Sequence, residues 1–309
     1  MNEYIDTESY RETLKQGYKE FEREIGWKGI ENVQVSNIRE MHDRFKDRIA
    51  SIAGRVFHFG FSHIDRMVRG IIPSHMCVVC ARPGVGKTNL LLTILKNQCS
   101  QGKRVIFFSL EMSEMELYER CCQMSCQIAG GEVLQRTREG GPLYDAMTEA
   151  VQRDFGGMHV VDQTGLTAKN IFNVVALWEE HLRVTYDAVF IDYFNLLKCE
   201  ERNQGPYDRA SIVARELQAM TKEVDKPVIC ASQLRRGKAA NEKPCMDDLR
   251  DSGVLEEVSA VIIGLWRSKE ETLNAAILKN KRGKLGSFEM DFEVESLTIH
   301  NDRYMAKIP

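Results

Sequence analysis

The sequence predicts an α/β fold: a mostly parallel central sheet flanked by helices, with an antiparallel C-terminal extension and helices at its N-terminus. Three observations carry this. Short apolar runs alternate with amphipathic stretches from about residue 77 to residue 232, the pattern of parallel strands joined by crossover helices. One joint, after Cys77-Val78-Val79-Cys80, is a glycine-rich turn that opens a helix at Lys87-Thr88. After Asp247 the strands follow one another without long helices between them, as an antiparallel extension would.

The elements follow in order. Residues Asp6 to Ile25 read as a helix with one apolar stripe of Tyr10, Leu14, Tyr18, Phe21 and Ile25, spaced by three or four. A second, strongly charged helical stretch runs from Val35 to Ile52, and Gly54 to Gly60 breaks the pattern. Ile64 to Val68 reads as a short helix and Gly70 to Ser74 as a turn into the first strand. Strands are expected at Arg104–Ser109, Met158–Asp162, Ala188–Tyr193 and Pro227–Ser232. Helices are expected at Glu111–Ile128, Tyr144–Phe155, Ala168–Arg183 and Ser211–Val224, with loops at Gly130-Gly131 and Gly140-Gly141-Pro142. Ala260–Trp266, Ala275–Lys279 and Ser287–Phe292 are the closing strands. The expected division is a helical segment over 1–53 and a main domain over 54–309.

Composition narrows the function classes. The 309 residues are 43% apolar and 28% charged, as in an ordinary globular protein with a substantial core. No apolar run spans a bilayer, and the polar, acidic N-terminus is not a signal peptide. A net charge of −3 excludes a generally basic nucleic-acid coat but leaves room for a local basic channel. Of nine cysteines, Cys77 and Cys80 have metal-like spacing, yet an odd separation on a strand points them to opposite faces. Cys122 and Cys126 share a helix face, with Met115 and Leu117 nearby, which reads as core packing rather than a metal site. An odd count without a framework suits a reducing cytoplasm.

The chemistry starts at Ala81-Arg82-Pro83-Gly84-Val85-Gly86-Lys87-Thr88-Asn89. This is a phosphate-binding loop pattern with Ala81 where the general form has its first glycine. Backbone N–H groups curl around phosphates, and the helix N-terminus adds positive potential. Lys87 reaches the β- and γ-phosphates of ATP and Thr88 holds Mg²⁺. Asp192 ends a buried strand at the same sheet edge, where it either binds Mg²⁺ or caps the next turn. Glu111, just past another strand, either orients an attacking water or complements a helix dipole. Gln233 ends a third strand at that edge and is placed to contact the γ-phosphate.

Five segments in this order, Ala-Arg-Pro-Gly-Val-Gly-Lys-Thr, Phe-Phe-Ser-Leu-Glu-Met-Ser, Phe-Ile-Asp-Tyr, Ala-Ser-Gln-Leu and Asp-Leu-Arg-Asp-Ser-Gly, resemble the RecA-like motor domain of DnaB-family replicative helicases. The resemblance runs from about Phe59 to about Phe292, and Ala81 is usual there. It implies a RecA-like P-loop ATPase motor over 54–309 behind a linker and assembly segment over 1–53. Glu111 becomes the catalytic glutamate, Gln233 the γ-phosphate sensor, and Arg120 a residue stacking on the adenine. Arg250, Asp251 and Gly253 fall in the loop that holds single-stranded DNA by its backbone. A Lys-x-Arg pair that reaches the neighbouring subunit's γ-phosphate maps onto Lys279 and Lys281, with Arg282 one place later. Lys279 with Arg282 is the favoured pair, because lysine lacks arginine's planar fork; Lys279 with Lys281 is the alternative.

The resemblance further implies a ring or open spiral, with six the expected number of subunits, acting on single-stranded DNA and replication forks in a bacterium or as a phage protein. A loader or primase is the expected further partner. The family's globular N-terminal collar has no counterpart in the roughly sixty residues ahead of the motor, which puts primase binding of the usual kind in question. A recombination ATPase on the same fold is one rival. A non-unwinding ATPase partner of a helicase, a loader or decoy, is the other. The Leu-Glu-Met-Ser and Asp-Leu-Arg-Asp-Ser-Gly segments favour the helicase over the recombinase.

Overall fold

The computed structural model describes residues 36–201, 205–234, 241–268 and 272–300, with residues 12 and 16 alone ahead of them. The N-terminal stripe from Tyr10 to Ile25 lies outside the described residues. The chain divides into two compact units, Met1–Ala53 and Gly54–Pro309. In the first, α1 (Ile38–Ile52) starts at Asn37, whose side chain accepts from the Glu40 N–H, a side-chain N-cap. Ile38, Met41, Phe45 and Ile49 line one face of α1 and are exposed.

The second unit is built on a nine-stranded sheet of order β3-β2-β4-β5-β1-β6-β7-β8-β9. The strands are β1 (Met76–Ala81), β2 (Val105–Ser109), β3 (Met158–Asp162), β4 (Ala188–Asp192), β5 (Val228–Gln233), β6 (Val261–Arg267), β7 (Leu273–Asn280), β8 (Gly286–Glu293) and β9 (Thr298–His300). β3, β2, β4, β5, β1 and β6 run parallel, and β7 to β9 continue antiparallel. The helices are α2 (Ser62–Val68), α3 (Lys87–Cys99), α4 (Glu114–Cys126), α5 (Gly130–Glu139), α6 (Pro142–Phe155), α7 (Ala168–Leu182), α8 (Pro206–Glu223) and α9 (Gly253–Val258).

β1, β2 and β4 are buried along their whole length, which is why they read as unbroken apolar runs rather than alternations. Successive residues serve opposite cores. Cys77, Val79 and Ala81 pack on one face of the sheet with Leu91, Phe107 and Phe190. Met76, Val78 and Cys80 pack on the other with Ile106, Ile191 and Leu217. Cys77 and Cys80 therefore lie in different cores, and burial pushes both thiols up, Cys80 to about 12.

Three elements depart from the sequence expectation. The glycines 130 and 131 begin a helix, α5, instead of a loop. One buried residue, Val133, anchors it, and Arg136 pairs with Glu132 one turn back, the spacing that supports a helix. A 3₁₀ turn over Met246–Ser252 runs into the short helix α9. β9 adds a three-residue strand, too short to show a period of two.

Candidate active site

The strand register gathers the functional segments at one edge. Ala81 pairs with Gln233 across β1 and β5. Ser109 pairs with Asp192 across β2 and β4. The loop after β1, the turn after β2 and the ends of β4 and β5 thus share the carboxyl edge of the parallel strands, where open α/β sheets bind ligands.

The loop itself is made by backbone conformation. Gly84 and Gly86 have φ of 74° and 124°, a region that glycine enters without steric penalty. α3 then starts at Lys87 with Gly86 as its N-cap and no side-chain cap, so its first N–H groups face the loop. Val85 is buried and pins the turn to the core.

At the centre, the Thr88 hydroxyl donates to Asp192 Oδ2 at 2.6 Å. Asp192 is 2% exposed, and its Oδ1 is buried without a hydrogen-bond partner among the described residues. Burial raises its pKa, against the Thr88 hydrogen bond and the Lys87 charge that lower it. Lys87 is also buried; burial lowers its pKa, while Asp192 and Glu111 raise it. Its Nζ stands 5.8 Å from the centre of the Tyr193 ring. A carboxylate oxygen orphaned beside a hydroxyl suits a hard cation, since Mg²⁺ takes one or two protein oxygens and completes its shell from water and phosphate.

Glu111 is exposed at this edge. Its turn is fixed on both sides. Leu110 N donates to the Asp192 carbonyl at 2.8 Å, and the Ser109 hydroxyl donates to the Met112 carbonyl at 2.5 Å. The Gln233 N–H donates to Asn195 Oδ1 at 3.0 Å, and Ser232 Oγ donates to the same oxygen at 3.4 Å. Asn195 thus holds the end of β5 from the 3₁₀ turn after β4 (Phe194–Leu196).

Arg120, on α4, donates from Nη1 to Asn89 Oδ1 at 3.0 Å, which brings it to the first turn of α3. Arg82 is 5% exposed and sends its guanidinium away from the loop, Nη1 donating to the Glu242 carbonyl at 2.9 Å.

The remaining sequence-selected residues lie apart from this centre. Arg250 and Asp251 are on the 3₁₀ turn 246–252 and Gly253 opens α9; the side chains of residues 250–252 are outside the description. Lys279 is on β7 beside a register shift opposite Ile262 and Ile263. Its ammonium donates to the carbonyls of Glu256 and Glu257. Burial lowers its pKa and the Lys281 charge lowers it further. Lys281 and Arg282 are exposed in the turn after β7. That turn is tied down by Asn280, whose Nδ2 donates to the Met67 carbonyl at 2.9 Å. A Cβ on Gly283 would meet the same carbonyl oxygen at 2.2 Å, so only glycine fits there.

Residues 57–301 match the family model of the DnaB-like helicase C terminal domain. The chain belongs to the DnaB-like helicase C-terminal domain family.

Among its curated relatives, this DnaB-like chain is 29% identical over 276 residues to the replicative DNA helicase DnaC of Bacillus subtilis, covering 84% of this chain and 58% of that one. It is 31% identical over 245 residues to a probable plasmid replicative DNA helicase of Chlamydia trachomatis serovar L2, covering 77% and 53%. It spans a little over half the length of these relatives. Of solved structures, one ATPase domain superposes with a TM-score of 0.78 at 25% identity, over 87% of this chain and all of that chain. A DnaB-like replicative helicase, solved in work on its interactions with primase, shares the fold at a TM-score of 0.73 and 24% identity, over 92% of this chain and 71% of that one. The RecA-like motor fold expected from the motifs is the fold found. No helix among the described residues is long and apolar enough to cross a membrane.

Sequence reasoning missed Asn195 and Tyr193 as neighbours of the site. Tyr193 follows Asp192 directly and was within reach of the strand-end argument. Asn195 had no signal, because it acts on Ser232 and Gln233, distant in sequence.

Proposed function

We propose that this chain is the motor of a ring-forming replicative helicase, coupling ATP hydrolysis to movement along single-stranded DNA and to duplex unwinding. The observation that carries the proposal is the Thr88–Asp192 contact, with its orphaned carboxylate oxygen beside buried Lys87. That set fits a nucleotide triphosphate with its cation.

In this reading the N–H groups of residues 84–88 cradle the phosphates and Lys87 neutralises their β and γ oxygens. Thr88 and Asp192 hold Mg²⁺, which when bound offsets charge developing on the β- and γ-phosphate oxygens. Glu111 accepts a proton from the water that attacks the γ-phosphorus, as the bond to the β-phosphate oxygen breaks. Gln233, held by Asn195, contacts the γ-phosphate and reports its loss. Arg120 borders the base. Lys279 with Lys281 or Arg282 serves the nucleotide of the adjacent subunit, so the site is complete only in an oligomer, six subunits being the expected number. The exposed stripe of Ile38, Met41, Phe45 and Ile49 on α1 supports assembly of the N-terminal segment against another copy. Arg250, Asp251 and Gly253 hold the DNA backbone.

The test is ATP hydrolysis by the purified chain with and without single-stranded DNA. The proposal expects Mg²⁺-dependent turnover that rises with DNA. A turnover that DNA leaves unchanged, with no DNA bound, favours the partner-ATPase reading.

A further inference from the structure

We propose that Arg82 is a positioning residue whose ion pair with Asp248 transmits the state of the phosphate loop to the segment that carries Arg250 and Gly253. The inference rests on the proposed reading of that segment as the DNA-facing one.

Arg82 lies in the phosphate loop by its backbone, but its side chain leaves the loop. Pro83 follows it, which disfavours helical backbone at Arg82. The guanidinium is nearly enclosed and reaches the segment after residue 240 at two points. Nη1 donates to the Glu242 carbonyl at 2.9 Å, and Nη2 lies 3.8 Å from Asp248 Oδ2. The two side chains are 6% and 11% exposed, so water screens the pair little. The pair is also incomplete: 3.8 Å is an ion-pair distance and not a hydrogen bond, and the buried Nε of Arg82 has no hydrogen-bond partner among the described residues. A buried guanidinium that is only partly satisfied is sensitive to small displacements of the loop that carries it, because water screens its contacts little.

The Asp248 end is equally specific. The Oδ2 that faces Arg82 also accepts from the Cys245 N–H at 2.9 Å. Asp248 therefore caps the 3₁₀ turn 246–252 as well as receiving charge from the phosphate loop. Any change in the Arg82 contact acts on the group that starts this turn. The far end of the same segment is held from another element: Lys279 on β7 donates to the carbonyls of Glu256 and Glu257 on α9. The segment from 246 to 258 is thus gripped by the chain's own phosphate loop at its head. At its tail it is gripped by the strand that leads to Lys281 and Arg282.

The experiment separates charge from capping. Asp248→Asn keeps an oxygen for the Cys245 N–H and removes the charge that faces Arg82. Asp248→Glu keeps both, since glutamate at this third position caps as well as aspartate. Hydrolysis without DNA should stay within about twofold of wild type in both variants, with an unchanged KM for ATP, because Asp248 faces the Arg82 guanidinium and the Cys245 N–H and the substitutions leave Lys87, Thr88 and the loop N–H groups in place. Stimulation by single-stranded DNA should fall about fivefold or more in Asp248→Asn, as a coupling between two sites would, and return in Asp248→Glu. Full stimulation in Asp248→Asn overturns the proposal. Equal losses in both variants also overturn it, because a role in packing alone would then account for them. A wild-type chain that DNA does not stimulate removes the helicase reading itself, and this inference with it.

Discussion

The Thr88 hydroxyl sits 2.6 Å from Asp192 Oδ2, although the two residues belong to the start of α3 and the end of β4. Parallel strands set this meeting. β1 delivers the loop and β4 delivers the aspartate to one sheet edge, while the other oxygen of Asp192 stays buried and unpaired among the described residues. An arrangement that leaves a carboxylate oxygen orphaned costs stability unless a ligand completes it.

That cost gives a pH-dependent prediction. Burial holds the Asp192 carboxyl above its ordinary 3.8. A group with a raised folded pKa contributes stability below its unfolded pKa and loses it as pH rises through the folded one. The ionised carboxylate is therefore a liability in the unliganded chain, and Mg²⁺ relieves it. Melting curves with ATP should show a larger stabilisation by Mg²⁺ at neutral pH than near pH 4. Asp192→Asn should lose the Mg²⁺-specific part of that shift while keeping the Thr88 contact.

Lys87→Ala should weaken ATP binding, measured by fluorescent-nucleotide titration. Glu111→Gln should bind ATP normally and hydrolyse it about 10²- to 10⁴-fold more slowly, the range for losing a general base. Near-normal turnover in Glu111→Gln would remove the glutamate from the chemistry.

The phosphate loop, the parallel strands and the sheet-edge residues were legible in the sequence for one physical reason. Strands buried on both faces leave continuous apolar runs such as Val105-Ile106-Phe107-Phe108, and the residue that ends each run must stand at the sheet edge. α5 was not legible, since Gly130-Gly131 signals a turn and one buried valine is a faint counter-signal. Nor was the destination of Arg82. Its neighbours place it with the phosphates, whereas its partners Glu242 and Asp248 lie about 160 residues away. A side-chain contact at that distance leaves no periodicity to read.

Single-stranded DNA should bind with little sequence preference, because contacts to the backbone carry no base information. Affinity should fall steeply with salt as counterions are released. Arg250→Ala should weaken binding to all sequences alike and lower the salt slope by about one. Filter binding across a salt series checks this, and a loss confined to particular sequences would contradict it.

Lys281 and Arg282 are both exposed after β7, and Lys279 is engaged with the carbonyls of α9. If Arg282 acts on the adjacent subunit's nucleotide, Arg282→Ala should reduce turnover by about a thousandfold while ATP still binds. Lys281→Ala should do less. Oligomers mixed from Arg282→Ala and Lys87→Ala chains should regain activity at the interfaces that receive both intact halves. A dead Lys281→Ala protein beside an active Arg282→Ala protein assigns the role to the lysine.

Strand displacement tests the helicase reading most directly. A forked duplex labelled on one strand, mixed with the purified chain, Mg²⁺ and ATP, should release that strand with time. It should remain paired without ATP and with the Glu111→Gln variant. A fork that stays intact under ATP, while the same preparation hydrolyses ATP on single-stranded DNA, would contradict the helicase reading and leave an ATPase that does not unwind.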